Sequence, residues 1–193
     1  MPSSNMLRTF IAIELSETVR QDVARVIAEL DRIEAAVRWV KPENLHLTLK
    51  FLGDVEEPRL SDLFDGTEEV LRGIQAFRIT FRGLGAFPHL RRPRVFWIGI
   101  EQGADSLKTV QKRIEDRLTG LGFPRDTKAF SPHLTLGRVK KSLRGIFELA
   151  STIERMSVGP EEMSVERVVV MKSVLTPEGP IYSKLREVPL LSS

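Results

Sequence analysis

His46-Leu47-Thr48-Leu49 and His133-Leu134-Thr135-Leu136 are the same tetrapeptide, carried twice by one chain. Each copy alternates polar and apolar side chains, the period of a β-strand with one face buried and the other open. In such a strand the histidine and threonine project together while the two leucines anchor the opposite face. The chain has three histidines, and from its threonine content the chance that two of them carry a threonine two positions on is about one in a hundred. The copies lie 87 residues apart (133 − 46), a separation that predicts two half-sites meeting in the fold.

The sequence on either side of the motifs follows one order twice. Arg8-Thr9-Phe10-Ile11-Ala12-Ile13-Glu14-Leu15 reads as a strand, and Ser16 with Glu17 opens a helix over residues 17–33. Val19, Val23, Val26, Ile27 and Leu30 fall on one face of that helix. Pro42 interrupts, the first motif strand spans 45–52 and stops at Gly53-Asp54, an amphipathic stretch covers 58–71, and 77–81 is a third strand. Gly83, Gly85, Pro88 and Pro93 punctuate a loop over 83–94 that carries His89, Arg91, Arg92 and Arg94. Beyond it come a strand at 95–100, a helix at 106–121 closed by Gly122, the second motif strand ending near Val139, and a helix at 143–153. Residues 163–174 form one strand, paired as a hairpin with 181–188 across Pro177-Glu178-Gly179-Pro180. The fold expected is α+β and bilobal: a single domain over 1–193, made of two pseudo-symmetric α/β lobes formed by halves 1–88 and 89–193. Their mainly antiparallel sheets face a central cleft.

Composition limits what such a chain does. A hydrophobic content of 41% in 193 residues supplies one substantial core. Without cysteine there is no thiol nucleophile, disulfide or cysteine metal site, and a cytoplasmic setting is expected. Met1–Asn5 does not lead a basic, apolar signal, and Val168-Val169-Val170-Met171 is far too short to span a bilayer, so no membrane association and a monomer are expected. A net charge of +3 suits a polyanionic partner.

Two facing imidazoles make an acid and a base, because a group with an ordinary pKa of about 6.5 is present in both states near neutrality. Thr48 and Thr135, one pleat along, offer hydroxyl donors to oxygens of a group lying between the rings. A phosphodiester accepts donors on two sides, takes attack at one end and loses an oxygen at the other, and the scheme uses no metal and no cofactor. The residues alone leave open which histidine is acid and which is base. Two other classes stay open as well: a non-catalytic RNA-end or nucleotide-binding module, and a metallo-hydrolase with both histidines as ligands. The latter lacks a carboxylate cluster beside either motif. Lys50, in phase with Thr48, is expected either near the phosphate or in solvent.

Several blocks together resemble the 2H phosphoesterases, and within them the RNA 2′,3′-cyclic phosphodiesterases, also called 2′-5′ RNA ligases. They are Arg8-Thr9-Phe10-Ile11-Ala12-Ile13, Asn44-Leu45-His46-Leu47-Thr48-Leu49-Lys50-Phe51-Leu52-Gly53, Pro93-Arg94-Val95-Phe96-Trp97, Pro132-His133-Leu134-Thr135-Leu136-Gly137-Arg138 and Gly179-Pro180-Ile181-Tyr182. The resemblance implies a cleft between two lobes, an RNA or nucleotide substrate with a 2′,3′-cyclic phosphate, hydrolysis to a 2′-phosphate and reversible ligation. It further implies His46 as proton donor, His133 as proton acceptor and Arg138 as the phosphate-side arginine. Simple alternation puts Arg138 with Leu134 and Leu136, so a bulge or a strand end must re-aim it. Arg91, Arg92 and Arg94 are candidates for more distant phosphates and Tyr182 for stacking on a base, while Phe10, which could also stack, and Trp97 are expected in the core.

Overall fold

The computed structural model describes residues 5–158 and 161–192. The first four residues of the Met1–Asn5 stretch lie outside it. Its elements, in chain order, are β1 (Met6–Glu14), α1 (Glu17–Asp31), β2 (Val37–Trp39), β3 (His46–Glu56), α2 (Leu60–Leu71), β4 (Phe77–Phe87), β5 (Val95–Ile100), α3 (Ala104–Gly120), β6 (His133–Val139), α4 (Ile146–Arg155), β7 (Glu161–Val165), β8 (Arg167–Thr176) and β9 (Gly179–Pro189).

Local chemistry accounts for most boundaries. Ser16 Oγ accepts from the amide of Val19 and caps α1, whose buried face is Val19, Val23, Ile27 and Leu30. Past α3 the amide of Phe123 bonds the carbonyl of Leu118, a closure that needs the left-handed Gly122 (φ +82°). Both expected bounds of β5 and the end of β6 at Val139 coincide with the structure.

The strands form two antiparallel sheets, β3-β1-β8-β9 and β2-β6-β5-β4-β7. Helices α2 and α3 pack on the first, through β9 and β3; α1 and α4 pack on the second, through β7 and β4. Two expectations change here. The lobes are not the halves 1–88 and 89–193: β8 and β9 cross over to complete the sheet of the first motif, and β2 and β4 join the sheet of the second. Residues 163–174 are likewise not one strand, because the chain breaks at Glu166 and passes from one sheet to the other. A continuous apolar cluster, with Ile11, Ile13 and Leu47 from one sheet and Phe96, Ile98 and Leu134 from the other, ties the lobes together. Each such buried side chain contributes about 1.5–3 kcal/mol.

Glycines expected to end strands instead let them continue. Gly53 (φ +70°) follows a bulge at Leu52 and β3 runs on to Glu56; Gly83 (φ +72°) is itself bulged and β4 runs on to Phe87. The expected long loop shrinks to residues 88–94. No helix among the described residues is long and apolar enough to cross a membrane.

Candidate active site

The motif strands β3 and β6 belong to different sheets, yet come within 8 Å of each other, Cα to Cα. Leu47, Leu49, Leu134 and Leu136 are all buried in the core, as the alternation requires. The histidines and threonines take the other face. Each ring is held the same way: His46 Nδ1 lies 2.8 Å from the carbonyl of Asn44, and His133 Nδ1 lies 2.7 Å from that of Ser131. A carbonyl only accepts, so Nδ1 carries the hydrogen in both rings and Nε2 is the nitrogen left to exchange a proton.

Each motif ends in a bulge. In β3, Thr48 pairs with Ala12 and Lys50 with Ile11, leaving Leu49 as the extra residue. The bulge reverses the alternation: Lys50 joins Ile11 on the core side and Phe51 joins Phe10 on the cleft side. Lys50 is therefore neither near a phosphate nor in solvent. It is 1% exposed, with Nζ 2.8 Å from Glu115 Oε2 and 2.9 Å from the carbonyl of Pro124. In β6 the extra residue is Leu136, between Thr135 (paired with Trp97) and Gly137 (paired with Phe96). Gly137 turns inward and Arg138 turns out beside Thr135, which is the re-aiming that simple alternation had required.

His46, Thr48, Thr135 and Arg138 line a cleft of about 250 Å³ together with Arg8, Phe10, Val40, Asn44, Phe51, Ser173, Leu175, Pro180 and Tyr182. No carboxylate stands in that wall. The His133 ring is edge-on to Phe87 at 4.8 Å between centroids. His46 is 4.8 Å from the Phe10 ring and edge-on to Tyr182 at 5.2 Å. Burial lowers the proton affinity of both imidazoles below the usual 6.5, the main-chain hydrogen bonds oppose this, and the charge of Arg138 lowers both further. One guanidinium thus acts on both rings. Burial also raises the Tyr182 phenol.

Among the remaining expected residues, His89, Arg91, Arg92 and Arg94 are exposed in the loop between β4 and β5. Three contributors went unread in the sequence: Arg8, whose guanidinium lies over the Phe51 ring at 4.7 Å, Phe87, and Asn44. Asn44 carries the carbonyl that holds His46, and its Nδ2 donates to the carbonyl of Pro180 at 2.9 Å. Main-chain carbonyls leave no signature in residue type, and Asn44 and Ser131 accordingly differ. Among the described residues no group of three or more His, Asp or Glu is placed to hold a metal ion.

Two sheets facing a cleft, with a His-x-Thr strand from each, define a phosphoesterase built on an internal repeat. The LigT-like phosphoesterase model matches residues 13–97 and again 98–182, and the chain belongs to that family. Proteins named RNA 2′,3′-cyclic phosphodiesterase are similar throughout: that of Archaeoglobus fulgidus is 39% identical over 180 residues, 93% of this chain and 98% of the relative. That of Methanothermobacter thermautotrophicus is 38% identical over 181 residues, 93% and 96% of the two chains. Among solved structures, a Thermus thermophilus protein superposes with a TM-score of 0.79 at 29% identity, covering 95% of this chain and 98% of its own. Escherichia coli LigT complexed with NADP+ gives 0.74 at 26%, covering 97% and 99%.

Proposed function

We propose that this cleft opens the 2′,3′-cyclic phosphate of an RNA or nucleotide end to a 2′-phosphomonoester by proton transfer through His46 and His133. The observation that carries the reading is the matched pair of motif strands from different sheets, with both imidazoles anchored alike through Nδ1 and both under the charge of Arg138. The shared name of the archaeal relatives supports it. So does the NADP+ held by the Escherichia coli protein, since that nucleotide carries a 2′-phosphomonoester, the product class.

His133 Nε2 takes a proton from water as the water oxygen bonds to phosphorus. His46 Nε2 gives a proton to O3′ as the P–O3′ bond breaks, and exchange with solvent resets both rings. Thr48 and Thr135 donate to the non-bridging oxygens, where charge accumulates, and Arg138 balances that charge. A 5′-hydroxyl in place of water, with the same proton transfers, yields a 2′-5′ linkage.

Incubation of the purified protein with an oligoribonucleotide bearing a 2′,3′-cyclic end, in EDTA, should release the 2′-phosphate isomer. A 3′-phosphate product would reverse which oxygen leaves and undo the assignment of the two histidines. Binding without turnover would make the cleft an RNA-end-binding module. Activity lost on chelation and restored by zinc or manganese would make both histidines ligands.

A further inference from the structure

Arg38 and Arg138 are partners, Cα to Cα, across β2 and β6. Their side chains stand on the same face of the sheet, the one from which Arg138 enters the cleft. Residues so placed have Cβ atoms about 4.5–5.5 Å apart, and like charges there destabilise the pair. Neither guanidinium makes an ion pair among the described residues. Elsewhere in the sheets exposed arginines are matched to glutamates: Arg78 to Glu162, Arg82 to Glu101 and Arg167 to Glu187 on or beside the neighbouring strand, and Arg186 to Glu68 of α2. Lys140, without an ion pair among the described residues, continues the row two residues beyond Arg138, with its amide bonded to the carbonyl of Ala36 at 2.8 Å and its side chain exposed. The sheet therefore maintains a repulsive cation pair and its neighbour where a carboxylate would relieve them, at one end of the cleft, and an anion from outside is the missing partner.

We infer that Arg38, with Arg138 and Lys140, forms a phosphate-backbone subsite that holds the nucleotides preceding the reacting end of an RNA strand. The preferred substrate is then a chain and not a free cyclic mononucleotide. The inference rests on the cyclic-phosphate reading of the cleft, and its test separates the two. kcat/KM is measured at several salt concentrations on 2′,3′-cyclic AMP and on a short oligoribonucleotide with the same cyclic end. Binding of the 2′-phosphate-ended oligonucleotide is followed by fluorescence anisotropy. Wild type should favour the oligonucleotide. Arg38→Ala should lower the oligonucleotide-to-mononucleotide ratio about fivefold and flatten the slope of log affinity against log salt by about 0.7; Arg38→Glu should do more. Arg113→Ala, at an exposed arginine of α3 without an ion pair, should keep the wild-type ratio. Equal wild-type kcat/KM on both substrates, or an Arg38→Ala ratio and salt slope matching wild type, overturns the subsite. If neither substrate turns over but oligonucleotide binding still depends on salt and Arg38, the catalytic reading falls and the subsite stands.

Discussion

The strands β3 and β6 carry the same four residues and the same bulge at the last of them, yet present different chemistry. Beyond Thr48 the bulge sends Lys50 inward and Phe51 outward; beyond Thr135 it sends Gly137 inward and Arg138 outward. One side of the cleft thereby carries Phe51, under the Arg8 guanidinium and beside Phe10 and Tyr182, while the other carries Arg138. The inward residues differ as well. Lys50 enters a buried network with Glu115 and the carbonyl of Pro124. Gly137 makes room for Trp39 and Val37, which a Cβ there would meet at 2.7 Å. A duplicated motif supplies one histidine and one threonine to each strand, and the residue two places after the bulge tells the lobes apart.

The histidines are where the strands should prove equal. His46→Ala and His133→Ala should each lower kcat by about 10²–10⁴, and the double variant should lose little more, since the two act in one step. A single variant with near-normal turnover would break the symmetry. The inward positions should come next. Lys50→Met strands Glu115, whose side chain is 7% exposed, and should cost about 3–5 kcal/mol in urea unfolding; pairing it with Glu115→Leu should restore much of that. Gly137→Ala, with no charge involved, should cost about 1–3 kcal/mol through displacement of Trp39 and Val37.

A subtler effect is expected in the pH profile. Both imidazoles titrate below 6.5, so kcat/KM should follow a bell with its optimum on the acid side of that value. Protonation of His133 sets the acid limb and loss of the His46 proton sets the alkaline limb. Arg138 lowers both affinities, so Arg138→Gln should move both limbs to higher pH, apart from its loss of phosphate binding. Limbs that stay in place would show that the guanidinium does not act on the rings.

Alternation in Phe10-Ile11-Ala12-Ile13 and in both His-Leu-Thr-Leu copies made the strands readable, as the 3.6-residue spacing did for α1 and α3. Glycine was the misleading signal. Gly53 and Gly83 looked like strand ends because a positive φ usually serves a turn, whereas here it serves a bulge that the neighbouring strand spans. Residues 163–174 hid the break at Glu166 because the buried Met163 and Val165 of β7 run on, past Glu166 and Arg167, into the apolar Val168-Val169-Val170-Met171 of β8.

Residue types by themselves determined the two His-x-Thr strands and their anchoring leucines, since period-2 burial is a local property. The tertiary structure decided which strands share a sheet, how the crossovers exchange them between lobes, and which of Lys50, Phe51, Gly137 and Arg138 faces the cleft. Those outcomes depend on cross-strand register. A one-residue bulge inverts every later side chain, and only the partner strand reveals where the extra residue lies.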